Sequence, residues 1–93
     1  MTGEPDPMAP IRARFIKRCR RDLALVQAAL ADPSLRTEEG FRTVVHGLSG
    51  AAGVFGHGQV SERAGLVDDA LHDGRPVADE AVADLVEALQ AIL

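Results

Sequence analysis

The side chains best suited to chemistry in this 93-residue sequence are three histidines, His46, His57 and His72, and one cysteine, Cys19. No CxxC pair and no Cys/His cluster at zinc spacing accompanies them, so neither a structural metal nor an internal disulfide is indicated. His46 stands apart because of its surroundings. Glycines at 47, 50, 53 and 56 recur at intervals of three, inside a pattern that otherwise reads as helix. Each interior glycine costs about 1 kcal/mol relative to alanine, so their accumulation requires a reason. Wound at 100° per residue, the segment places Phe41, Val45, Leu48, Ala52 and Phe55 within roughly 40° of one direction and His46 about 140° away from it. On the histidine's side lie Arg42, Ser49, Gly50 and Gly53. An imidazole therefore projects from an outward face with little side-chain bulk, beside a cation and a hydroxyl. Such a face lets another protein approach the ring closely, and neutral imidazole is a competent nucleophile. No carboxylate occupies positions 42, 43, 49 or 50, so nothing within one turn orients the ring as a general base, which leaves only a more distant acid for that role. These features favour His46 as a direct acceptor of an electrophile.

The other candidates have plainer readings. His57 follows eleven residues later, about 16 Å along a continuous helix, too far to share a metal with His46; it reads as an end-of-helix residue at the rim of the same face. His72 falls in the last turn of a later helix, where the C-terminal dipole favours it. Cys19 lies on an apolar stripe and reads as a small core residue, and Phe55 as packing. Arg12, Arg14, Lys17, Arg18, Arg20 and Arg21 against Asp22 give +5 over residues 11–22. These charges point to several faces without interleaved stacking aromatics, so a solvated surface, or docking to an acidic partner, fits better than nucleic-acid binding. A dinucleotide-binding loop is disfavoured, because Gly53-Val54-Phe55-Gly56-His57-Gly58 runs GxxGxG rather than GxGxxG and no strand flanks it.

Four helices must position these groups. Asp6-Pro7, or Pro10, starts a first helix that runs to about Ala31, ahead of Asp32-Pro33; Phe15, Cys19, Leu23, Val26 and Leu30 form its stripe. After a Pro-Ser-Leu-Arg loop, Thr37 is the expected N-cap of a second helix over about Glu38–Phe55. A third, about Gln59–His72, carries Val60, Ala64, Val67 and Leu71 and stops at Gly74. The last starts near Pro76 and carries Ala78, Val82, Leu85, Leu89 and Ile92. Four apolar stripes joined by short connections predict an all-α, antiparallel four-helix bundle. Residues 1–93 form one domain in this reading, with 1–9 a flexible N-terminal extension.

Composition agrees. The chain is 46% hydrophobic and 26% charged, with neither Trp nor Tyr, and a chain this short buries only about 60–65% of its unfolded surface, which excludes a large enclosed active site. A single cysteine suits a reducing, cytoplasmic compartment. The acidic, proline-rich opening is unlike a secretory signal, and the uncharged stretch Gly47–Gly56 is far shorter than the ~20 residues of a membrane span. Net charge is −4, but residues 58–93 carry −6, so the chain is polarised and local charge governs partner choice.

The segment His46-Gly47-Leu48-Ser49-Gly50-Ala51-Ala52-Gly53-Val54-Phe55-Gly56 resembles the signature of histidine-containing phosphotransfer (HPt) domains, His-x-Leu-Lys-Gly-x-Ala-x-x-x-Gly. Val60, Ala64, Val67 and Asp68 are similar to the Leu, Ala and Leu-Glu positions of that family's next helix, and the predicted bundle is its architecture. The resemblance implies that His46 accepts a phosphoryl group from an aspartyl phosphate on a receiver domain and passes it to another. It further implies a phosphocarrier without kinase activity of its own, binding no cofactor, with Mg²⁺ on the partner receiver. Response-regulator receivers and a hybrid histidine kinase are the implied partners; nucleic acid and membrane are not. By the same resemblance Gly50 leaves room for the receiver, with Gly53 on the docking face, and Leu48 anchors the helix. Ser49 departs from the pattern where the family carries lysine near the phosphoryl group. Arg42 is then the expected substitute cation, and Ser49 a hydrogen-bond donor. The departure keeps an alternative open: an HPt-like adaptor that binds receivers or kinases without carrying phosphate.

Overall fold

Prolines, glycines and one aspartate set the helix ends. The computed structural model describes residues 5–93, folded into α1 (Ala9–Ala31), α2 (Glu39–Val54), α3 (Gly58–His72) and α4 (Asp79–Ile92), with a 3-10 turn over Pro33–Thr37. α1 starts with Pro10 in its first turn, where a missing N–H costs nothing. Ahead of it, Asp6 accepts from the Met8 amide and pairs with Arg12. Of the expected N-terminal extension, residues 1–4 lie outside the described residues. Asp32 ends α1 and caps the turn, accepting from the Ser34 amide at 3.0 Å and the Ser34 hydroxyl at 2.7 Å; these bonds hold its carboxyl below the usual carboxylate range. The expected Pro-Ser-Leu-Arg loop is thus helical, and this winding displaces Thr37 from the N-cap of α2. Its hydroxyl donates to the Ser34 carbonyl instead, and Glu38, in extended backbone, occupies the cap position. α2 and α3 close alike: Gly56 (φ 81°) and Gly74 (φ 69°) turn left-handed, and the amides of His57 and Arg75 reach back to Ala52 and Ala70 at 2.8 Å. Side chains with a β-carbon rarely adopt that backbone.

The helices pack in a ring, α1 on α2, α2 on α3, α3 on α4 and α4 on α1. Phe41, Val45, Leu48 and Ala52 of α2 are buried, as the sequence predicts, as are Val60, Ala64 and Val67 of α3 and Val82, Leu85 and Leu89 of α4. The α1 stripe departs from expectation. Phe15, Cys19 and Val26 are buried, but Leu23 and Leu30 only partly, and Asp22 and Ala29 take the remaining buried positions. In α3 and α4, Ala70, Val86 and Ala88 are buried, whereas Leu71 and Ile92 pack at the margin and Ala78 is an exposed cap. Phe55 stacks on Phe15 with ring centroids 4.8 Å apart, and His57 stacks on the same phenylalanine at 5.7 Å, closing one end of the bundle. Burial, then the nearby Asp22 carboxylate, pushes the Cys19 thiol up to about 11 despite Arg18, so it stays neutral and unreactive at neutral pH.

Arg36 ties the other end. Buried in the turn, it donates from Nε to the Ala29 carbonyl (2.8 Å), from Nη2 to Leu30 (3.1 Å), and from Nη1 to the Val77 carbonyl (3.0 Å) and Asp79 (2.7 Å). Two carbonyls orphaned at the end of α1 are satisfied, and the start of α4 is fixed beside them. Replacing Arg36 by Met should therefore cost about 2–4 kcal/mol and lower the Tm by roughly 10 °C or more. The exposed Arg20→Met should change stability by no more than about 0.5 kcal/mol; thermal melts followed by circular dichroism compare the two.

Candidate functional site

α2 approaches α3 closely because glycine and serine face each other along the seam. A β-carbon at Gly53 would lie 3.3 Å from the Ser61 hydroxyl, and one at Gly65 would lie 3.3 Å from the Ser49 hydroxyl. The Ser61 hydroxyl also donates to the Ser49 carbonyl at 2.6 Å. The pairs 53–61 and 49–65 run in antiparallel register, and the next pair one turn along is 46–68. There His46 Nδ1 lies 3.0 Å from an oxygen of Asp68. The imidazole side chain is 81% exposed and the Asp68 side chain 29%.

This contact decides the chemistry of the ring. A carboxylate oxygen accepts in such a contact, so Nδ1 is the nitrogen that donates, and Nε2 is the ring nitrogen left for an outside partner. An acid thus orients the imidazole, but from α3 rather than from within a turn of α2. Asp68 received no role from sequence reasoning. The available signal was an acid on the seam face of α3, one turn beyond Gly65, and its partner across the seam depends on helix register.

His46 opens onto a shallow depression lined also by Arg18, Arg42, Thr43, Gly47, Asp68 and His72. Of the residues singled out in sequence, Arg42 is exposed one turn before His46 and lines this depression. Ser49 is half-buried with its hydroxyl against Gly65. Gly50 is exposed, with open space where a β-carbon would stand, whereas Gly53, also exposed, turns its missing side chain toward Ser61. His57 belongs to the aromatic stack, and His72 ends α3 as expected. Arg18, one of the basic run assigned to solvated surface, reaches the same depression from α1.

The fold and site are those of a helical bundle that presents on an open surface an imidazole contacted by an aspartate from a second helix. The comparison with known families makes this specific: the model of the Hpt domain matches residues 10–93. The chain belongs to the Hpt domain family, whose members carry phosphoryl groups on histidine in two-component signalling. No curated protein and no solved structure matches it at a significant level. Among the described residues, no helix is long and apolar enough to cross a membrane.

Removing the Asp68 carboxylate should release the ring. In Asp68→Ala, ¹⁵N NMR of His46 should change from the Nδ1–H tautomer toward a mixture. An unchanged tautomer would show that the carboxylate does not hold the ring.

Proposed function

We propose that His46 accepts a phosphoryl group at Nε2 from a receiver-domain aspartyl phosphate and delivers it to a second receiver. The observation that carries this is an imidazole 81% exposed whose Nδ1 contacts Asp68. In the forward step the Nε2 lone pair attacks phosphorus, the N–P bond forms, and the acyl phosphate P–O bond breaks to leave the receiver's carboxylate. The Nδ1 proton stays in place, so the ring becomes a phosphorylated imidazolium whose positive charge faces the Asp68 carboxylate. Such a ring is also the better leaving group for onward transfer, so the same contact serves both directions. Little covalent machinery is needed beyond position and charge. Mg²⁺ on the receiver supplies charge neutralisation at the aspartyl phosphate. Arg42, one turn below the ring in the same depression, contributes a cation in support, whereas the Ser49 hydroxyl faces Gly65 across the seam.

Docking uses the outward stripe of α2. His46, Gly50 and Val54 fall at intervals of four, and Val54 is 77% exposed, giving a bare and partly apolar surface around the nucleophile. That surface suits a receiver that must bring its aspartate into contact with the ring. An adaptor that binds without carrying phosphate would have no use for a ring held in this tautomer.

Incubation with phosphorylated receivers and Mg²⁺ should add one phosphoryl mass to the wild type and none to His46→Gln. The adduct should be acid-labile and alkali-stable; binding without it would establish the adaptor. Gly50→Arg tests the docking face separately. Open space at residue 50 and arginine's helix propensity should leave the Tm undiminished, while transfer from a receiver falls at least roughly tenfold, equivalent to about 1.4 kcal/mol of encounter free energy.

A further inference from the structure

Gly47 adjoins the phosphoacceptor but turns away from α3, toward α1. A β-carbon there would stand 3.4 Å from the guanidinium carbon of Arg18 and overlap one of its terminal nitrogens. The helix thus forgoes a side chain at the residue next to His46, and an arginine from another helix lies in the gap. Arg18 is also held at its base. Its Nε donates to Asp22 Oδ2 at 3.3 Å, and Asp22 is buried on the apolar side of α1. Burial pushes that carboxyl up while Arg18 opposes the shift, so the arginine is what makes a charged Asp22 tolerable in the core. Among the described residues, no acceptor engages the terminal nitrogens of Arg18 through a hydrogen bond. Arg18 lines the depression that holds His46 and Asp68, with a terminal nitrogen beside Gly47.

We propose that Arg18 binds the phosphoryl group carried by His46, donating from its terminal nitrogens to phosphoryl oxygens, with Asp22 and Gly47 fixing its approach. The inference rests on the phosphocarrier reading. The ring is then flanked from two helices: Asp68 of α3 holds its proton, and Arg18 of α1 meets the incoming negative charge. A guanidinium suits this task because its planar fork can pair with two phosphoryl oxygens while its Nε remains bound elsewhere. Arg42 lies one turn along α2 in the same depression, and nothing in the structure pins it in this way.

The test measures transfer from a panel of phosphorylated receivers to wild type, Arg18→Ala, Arg18→Lys, Gly47→Ala and Arg14→Ala, together with ³¹P NMR of each phosphorylated form. Arg18→Ala and Gly47→Ala should both slow transfer by roughly tenfold or more and shift the phosphohistidine resonance; Arg18→Lys should fall between them and wild type. Gly47→Ala is the decisive variant because it keeps every charge, and alanine favours the helix, so its loss reports displacement of the guanidinium. Arg14→Ala removes an equal charge from the exposed side of α1 and should behave as wild type. Wild-type transfer with an unshifted resonance in either Arg18→Ala or Gly47→Ala would overturn the assignment, as would an equal loss in Arg14→Ala, which would mark a diffuse attraction. A wild type that takes no phosphate would instead overturn the phosphocarrier reading itself.

Discussion

The close approach of α2 to α3 is the constraint on which the site depends. An imidazole on an outward helical face is free to rotate, and a free ring is a poor acceptor because its tautomer and direction vary. Holding it requires a group from a neighbouring element, and a short side chain such as aspartate can reach only if the two backbones lie near each other. Gly53 against Ser61, Gly65 against Ser49 and the Ser61–Ser49 hydrogen bond bring them together. Asp68 then meets Nδ1 while Nε2 stays open to a partner. Small side chains along the seam and a large accessible surface above it are thus two consequences of one packing arrangement.

Glycine in α2 weakens the helix, yet its positions are not interchangeable. Gly50 leaves the surface open, Gly53 admits α3, and Gly47 admits Arg18. Tertiary structure offsets the propensity lost: the buried α2 stripe of Phe41, Val45, Leu48 and Ala52 packs into the core, and Arg36 locks the turn before α2 to the ends of α1 and α4. A small core with few large residues leaves little stability to spare, which gives the multidentate arginine a weight unusual for a single polar side chain.

The bundle was legible in the sequence because helical periodicity is local. The 4-3-4-3 spacing of Phe41, Val45, Leu48 and Ala52 identifies a buried face without reference to any partner helix, and Gly56 and Gly74 mark their stops by backbone chemistry alone. His46 was legible as a candidate for the same reason: it lies on the exposed face opposite that stripe. What escaped was every feature that depends on a second element. Asp22 is buried only because other helices pack over that side of α1, and Asp68 is 22 residues from the histidine it contacts. Arg36 sits outside any periodic segment, and its role emerges only when three elements converge. Thr37 had the right chemistry for a cap, but the preceding turn wound one residue further and used its hydroxyl.

The central claim is that Asp68 reserves Nδ1 and leaves Nε2 as the nucleophile. It is tested most directly by locating the phosphoryl group on the ring of phosphorylated, ¹⁵N-labelled protein through two- and three-bond ¹H–¹⁵N correlations. The account predicts phosphorus on Nε2 with Nδ1 retaining its contact to Asp68. Phosphorus on Nδ1, the nitrogen that the α2–α3 seam is built to occupy, would contradict it.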